Sequence, residues 1–285
     1  MSRPVFRFAP SPNGLLHLGH AYSALLNYRL AQRLGGRFLL RIEDIDTQRC
    51  TNDLVEAMIE DLTWLGLSWE LPPRRQSEHF SDYSSALERL RACDLLYPSV
   101  ASRAEIEAAV QEEERESNAP WPKDPDGAPL YPRSALPKHS QSSQSAQMAM
   151  RLDMARARCM ASDLVWWEFE PTTGSVRTIQ ADPERWGDVV LKRKDVPTSY
   201  HLSVVVDDAL QGVTHVVRGL DLFHATSVHR LLQELLGLPE PIYHHHRLIL
   251  GPDGRKLSKS LGDTALSALR AEGKTPSDIR AMVGI

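Results

Sequence analysis

The chain has 285 residues, 42% of them hydrophobic and 25% charged, enough for one large core and a smaller appended unit. Its formal charge of −4 argues against a protein that coats nucleic acid electrostatically, but leaves room for RNA as a substrate met through a local basic patch. The opening MSRPVFRFAP lacks the apolar stretch of a signal peptide, no run reaches membrane-spanning length, and Cys50, Cys93 and Cys159 form no C-x-x-C pair. A soluble, cytoplasmic protein without a disulfide framework is expected.

In chain order, residues 5–9 read as a short strand stopped by Pro10 and Pro12, with Asn13-Gly14 as a turn. Leu18, Tyr22, Leu25, Leu26 and Leu30 then recur at helical spacing until Gly35-Gly36. Residues 37–42 predict a second strand, and 53–65 a second helix with Thr51 as N-cap and Gly66 past its end. Such alternation predicts an α/β fold built on a doubly wound parallel sheet. From Pro72 to Pro183 the pattern breaks. Ser102-Arg103-Ala104-Glu105 is a capping box opening a charged helix, residues 117–145 are rich in Pro, Ser and Gln and predict a long loop, and short strands at 164–169 and 175–180 close the insertion. Sheet-like runs resume at 189–191, 203–206 and 213–217, and a helix follows over 226–236. The chain therefore divides into a first half-core (1–71), an inserted α+β subdomain (72–183), a second half-core (184–250), and a loop with short helices (251–285).

Chemistry concentrates in two places. His17-Leu18-Gly19-His20 falls where the first helix begins, at the carboxyl end of the first strand. A helix N-terminus there offers N–H groups to phosphate, two histidines can bond an oxygen as its charge grows, and glycine lets a purine lie against the backbone. Lys256-Leu257-Ser258-Lys259-Ser260 follows the turn-forming Gly251-Pro252-Asp253-Gly254. Its lysines can grip β- and γ-phosphates and offset charge at the α-phosphorus. Either motif alone is compatible with ordinary surface residues; the two in this order on an α/β chain are not so easily dismissed.

Together they resemble the HIGH and KMSKS signatures of class I aminoacyl-tRNA synthetases, whose core is of Rossmann type. The segments 7–19, Leu40-Arg41-Ile42-Glu43-Asp44-Ile45-Asp46, 187–193, 200–208 and Val217-Arg218-Gly219-Leu220-Asp221-Leu222 resemble the glutamyl branch. With few residues after the lysine loop, a helical anticodon-binding domain is not expected, and with Asp221 to Thr226 and Tyr243 to Leu248 the sequence resembles the glutamyl-queuosine tRNA(Asp) synthetases. That resemblance implies activation of L-glutamate with ATP and Mg2+, without tRNA, and transfer of the acyl group to queuosine in the anticodon of tRNA(Asp), by a monomer. It implies catalytic roles for His17, His20 and Lys259, ATP contacts from His17, Gly19, His20, Lys256, Ser258 and Lys259, and glutamate contacts from Arg7, Ala9, Ser11, Glu43, Tyr200 and Arg218. In physical terms the substrate needs cations for its side-chain carboxylate and an acid for its amine.

Many members of that family bind zinc in the insertion through a Cys-x-Cys after a Tyr-Pro pair. Here Tyr97-Pro98 is followed by Ser99-Val100-Ala101, and Tyr131-Pro132-Arg133-Ser134-Ala135 also lacks cysteine, so no structural zinc and no metal site are expected. His244-His245-His246 is not a metal site either on an extended segment, because adjacent side chains diverge; a structural or ATP-proximal role is expected. Trp166-Trp167 reads as core of the insertion. Three other readings stay open: a truncated synthetase charging a tRNA 3′ end, a non-catalytic paralogue binding glutamate or RNA, and a small-molecule nucleotidyltransferase on the same fold.

Overall fold

The computed structural model describes residues 3–136, 148–251 and 264–285. The first part runs β1 (Val5–Phe8), α1 (Leu18–Arg33), β2 (Arg37–Ile42), α2 (Asn52–Trp64), β3 (Arg74–Arg75) and α3 (Phe80–Ala92). The middle adds β4 (Leu96–Ser99), α4 (Arg103–Ser117), β5 (Ala149–Leu152), α5 (Met154–Met160), β6 (Val165–Phe169), β7 (Val176–Gln180) and β8 (Val190–Lys192). The remainder is α6 (Tyr200–Leu210), β9 (His215–Gly219), α7 (Thr226–Leu235), β10 (Ile242–His246), α8 (Leu266–Ala271) and α9 (Pro276–Val283).

Seven strands form the main sheet in the order β3-β2-β1-β9-β10-β6-β7, all parallel except β7, which pairs antiparallel with β6. Side chains alternate along each strand, so both faces need a cover. Val5, Leu39, Val216 and Tyr243 turn to one face, where Tyr83, Leu87, Val205, Val228 and Leu232 from α3, α6 and α7 meet them. Phe6, Phe8, Phe38, Leu40 and Val217 turn to the other, against Ala24 and Leu25 of α1, Met58 and Leu62 of α2, and Leu266, Leu269 and Ile279 of α8 and α9. The expected doubly wound sheet is therefore present, with helices on both sides.

The local signals for α2 and α4 acted as written. Thr51 accepts from Leu54 N–H at 3.4 Å. Ser102 and Glu105 exchange bonds of 3.2 and 2.7 Å at the start of α4, which ends on Asn118 in the left-handed region. Of the long loop, residues 118–136 carry only a bridge between Lys123 and Pro129, and the rest lies outside the described residues.

Three strand readings need correction. Residues 203–206 are not a strand but the middle of α6, where Val204, Val205 and Val206 are all buried. β-branched residues favour strands only where nothing stronger acts, and a helix packed on several sides is apolar nearly all round. The strands near 164–169 and 175–180 belong to the main sheet rather than to the insertion, which leaves Trp166 at 2% exposure in the main core and Trp167 at 44% on the surface. Conversely, β8 pairs with β5 in a separate antiparallel sheet of order β4-β5-β8.

That small sheet carries Tyr97-Pro98, beside which the sequence has serine and alanine in place of cysteines. Ser99 Oγ lies 2.8 Å from the Tyr131 hydroxyl, and the guanidinium carbons of Arg133 and Arg151 sit 3.9 and 3.7 Å over the rings of Tyr97 and Tyr131. Hydroxyls and guanidiniums are not a zinc donor set, and among the described residues no group of three His, Cys, Asp or Glu is placed to hold a metal. Among those residues, too, no helix is long and apolar enough to cross a membrane.

Candidate active site

Strand order reverses on either side of β1: α1 carries the chain to β2 on one flank, while β9 lies on the other. The carboxyl ends of β1 and β9 diverge there, and a cleft of about 830 Å³ opens between them. Arg7, Ala9 and Ser11 line it from the end of β1 and the loop beyond, His17, Gly19 and His20 from the start of α1, Glu43 from the end of β2, Tyr200 from α6 and Arg218 from β9. Nine of the twelve residues picked out in the sequence thus share one cavity. Lys256, Ser258 and Lys259 lie outside the described residues.

The two histidines cap their own helix. His17 Nδ1 accepts from Gly19 N–H at 3.1 Å, and His20 Nδ1 accepts from His17 N–H at 3.2 Å, a reciprocal capping box with imidazoles in place of hydroxyl and carboxylate. Accepting at Nδ1 places the proton of each ring on Nε2, so both are poised as donors. Their ring centres are 3.9 Å apart. A Cβ at Gly19 would stand 3.0 Å from the His17 ring, so any other residue there would require that ring to shift. On the opposite wall a Cβ on Gly219 would meet Asp221 Oδ1 at 2.3 Å. We expect Gly219→Ala to displace Asp221 and to reduce activity tenfold or more with little loss of stability, checked by comparing turnover with melting temperature.

Behind the cleft runs a buried ion network. Asp208 of α6 accepts from Arg7 Nε at 3.0 Å and Nη2 at 3.4 Å, and from Arg41 Nη1 at 2.7 Å. Arg41, wholly buried, donates in turn to Glu43 Oε1 from Nη2 at 3.0 Å. Burial opposes ionisation of Asp208, yet Arg7 and Arg41 outweigh it and hold its carboxyl below the ordinary range. Glu43 goes the other way: desolvation raises its pKa despite Arg41 and Arg7, so a cationic ligand in the cleft would favour its charged form. Asp207, the neighbouring carboxylate, faces Arg74, Gln76 and Tyr83 and ties α6 to α3 and β3.

Arg218 is held differently. Its Nε donates to His245 Nε2 at 3.2 Å, Nη1 to His229 Nδ1 at 3.1 Å and to the Tyr200 hydroxyl at 3.5 Å, and Nη2 to Thr226 Oγ1 at 2.7 Å and to the Leu222 carbonyl at 3.3 Å. It is 5% exposed, and none of these partners carries a negative charge. A buried guanidinium with no carboxylate against it among the described residues has its charge available to pair with an anion.

The sequence reading named Arg41, Asp208 and Thr226 only as parts of longer stretches, with no role of their own, and did not include His229. A polar Asp-Asp pair following the apolar run of α6 was the available signal; α7, which also carries Thr226, Arg230 and Gln233, gives none that sets His229 apart.

Burial makes several of these histidines resist protonation. His201, His215 and His245 are lowered to about 4, and His229 well below its ordinary value, with desolvation the leading cause in each and the Arg218 charge adding to it at His201, His229 and His245. Unfolded, they would titrate near 6.5, so below that pH the unfolded chain binds protons that the folded chain refuses. Asp61, raised to about 6 by burial, works in the opposite sense over part of that range. Stability should fall as pH drops from about 6.5 toward 4, with about two to three protons taken up on unfolding near pH 5. Urea unfolding as a function of pH measures this; a flat profile between pH 6.5 and 4.5 would contradict it.

Residues 5–284 match the family described as tRNA synthetases class I (E and Q), catalytic domain. A protein of Rhodobacter capsulatus named glutamyl-Q tRNA(Asp) synthetase is 44% identical, covering 99% of this chain and 100% of its own length. One of the same name from Symbiobacterium thermophilum is 39% identical over 96% of this chain and 83% of its own. Among solved structures, the glutamate-tRNA synthetase of Elizabethkingia anophelis superposes with a TM-score of 0.70 at 29% identity, over 92% of this chain. The match spans about half of that longer protein, 54% of its length.

Proposed function

Because the chain belongs to the class I tRNA synthetases of the E and Q type, we propose that it activates L-glutamate with ATP and passes the acyl group to the queuosine base of tRNA(Asp). The observation that carries the glutamate reading is the buried, anion-seeking Arg218 facing Glu43 and the histidine turn across one cleft. Arg218 and Arg7 hold the side-chain carboxylate, Glu43 takes the ammonium, and Ser11, Ala9 and Tyr200 bound the rest of the amino acid. That arrangement leaves the α-carboxylate directed at the nucleotide.

ATP enters as its magnesium complex, with the adenine beside Gly19. The α-carboxylate oxygen attacks the α-phosphorus in line, the bond to the bridging oxygen breaks, and pyrophosphate leaves with its electron pair. Nε2–H groups of His17 and His20 donate to the phosphate oxygens as charge grows on them, a contribution of the kind that costs about a hundredfold in rate when one donor is removed. Lys259 and Lys256 act on the same phosphates; that assignment rests on the sequence alone. In the second step a hydroxyl of the queuosine cyclopentenediol attacks the mixed anhydride, forming an ester and releasing AMP.

The names of the two relatives support queuosine as the acceptor. Incubation with labelled glutamate and ATP tests it, using tRNA(Asp) with queuosine or guanine at the wobble position, each with and without its 3′-terminal adenosine. Label should follow queuosine and ignore the terminal adenosine. Label that instead requires the terminal adenosine would assign the chain to ordinary 3′ charging.

A further inference from the structure

The groups that hold Arg218 have their protons assigned by the two ends of the chain they form. Glu168 of β6 accepts from the His245 backbone N–H at 2.7 Å, and its Oε2 lies 2.9 Å from His245 Nδ1. Burial opposes the Glu168 charge, but the bonds from His245 and Trp166 outweigh it and keep the carboxyl below its ordinary range. Nδ1 of His245 therefore carries the proton, and Nε2 presents a lone pair to Arg218 Nε. Since a guanidinium only donates, Nδ1 of His229 must also be a lone pair, which places the His229 proton on Nε2, 3.3 Å from His201 Nδ1. His201, His229 and His245 are thus each singly protonated and uncharged. The nearest carboxylate in this chain of contacts, Glu168, sits behind His245 and does not touch the arginine.

An arginine can be fixed by carboxylates, as Arg7 and Arg41 are by Asp208, or by neutral acceptors, as here. The first way offsets part of the charge against the partner; the second fixes the plane of the guanidinium and leaves its whole charge for a ligand. We propose that His229 and His245, together with Thr226, are positioning residues that hold Arg218 while leaving its charge uncompensated. They thereby set the preference for a carboxylate over a carboxamide at the end of the substrate side chain. Glu168 and His201 act one step further out, fixing the tautomers of His245 and His229. This inference rests on reading Arg218 as the partner of the glutamate side chain.

A pair of nearly isosteric substitutions separates charge from shape. His229→Asn offers the Arg218 Nη1 a neutral oxygen in place of Nδ1, and His229→Asp offers the same oxygen with a negative charge. ATP–pyrophosphate exchange is measured for both with glutamate and with glutamine, alongside thermal melting. His229→Asn should stay within about fivefold of the parent in KM for glutamate. His229→Asp should raise that KM about a hundredfold while the glutamine KM changes little, so that the preference for glutamate collapses. A merely structural histidine would give two variants impaired to the same degree with both amino acids, and that result overturns the proposal, as does an Asp variant that keeps the parental preference. Should His229→Asp fail to fold, Thr226→Asp against Thr226→Asn makes the same comparison from the other side of the guanidinium, 2.7 Å from Nη2. A parent enzyme that shows no glutamate-dependent exchange would instead remove the reading of Arg218 itself.

Discussion

Arg218→Ala is expected to raise the glutamate concentration for half-maximal exchange by two to three orders of magnitude, with a smaller effect on the maximal rate. Removing one partner of a desolvated, hydrogen-bonded charge pair costs about 2–5 kcal/mol. In the proposed reaction the arginine holds the far end of the substrate, a contact made equally before and during phosphoryl attack. Its loss should therefore appear in binding rather than in turnover. Arg218→Lys should recover little, because an ammonium has no fork to span His229, His245 and Thr226 at once. Initial-rate kinetics with glutamate varied and ATP saturating provide the check; an unchanged KM with a reduced rate would place Arg218 elsewhere in the reaction.

The second large effect is expected at a residue that does not line the cleft. Asp208→Asn keeps the size of the side chain and removes the charge shared by Arg7 and Arg41. Burial works against the Arg41 charge, but Asp208, Glu43 and Asp207 overcome it and raise its pKa. Without Asp208 the two guanidiniums face each other with too little negative charge around them. Breaking a buried pair in this way costs about 3–5 kcal/mol of stability. Activity should fall further than stability, because Arg7 and, through Arg41, Glu43 are both oriented from this one carboxylate. Denaturant unfolding and exchange kinetics on the same preparation would show it. A variant within about 1 kcal/mol of the parent and with normal glutamate kinetics would mean that the network is ornamental.

How much of this could be read from the sequence depended on how local each feature was. The turn and helix carrying His17, Gly19 and His20 are a contiguous stretch with a fixed geometry, and so are the caps at Thr51 and Ser102. Residues 203–206 misled because three valines in a row favour a strand locally, whereas the neighbours that make α6 a helix lie on α3 and α7. The exchange of β6 and β8 between sheets was hidden for a similar reason: pairing partners such as Tyr243 with Glu168 are far apart in the chain. In the site, the residues proposed to touch the substrate were assigned through the family resemblance of contiguous stretches, and the chemistry of a dicarboxylic amino acid agrees with their types. The residues that hold them were not assigned. Asp208 reaches Arg7 across 201 positions and Arg41 across 167, and no local pattern encodes such a meeting.

In the proposed reaction one cleft binds glutamate and ATP together. The most direct measurement of this is ATP–pyrophosphate exchange with no tRNA present, run in parallel with glutamate, glutamine and aspartate. Exchange that depends on glutamate, at least a hundredfold more efficient than with either of the others, is the predicted result. No exchange with any of the three, or a preference for glutamine, would contradict it.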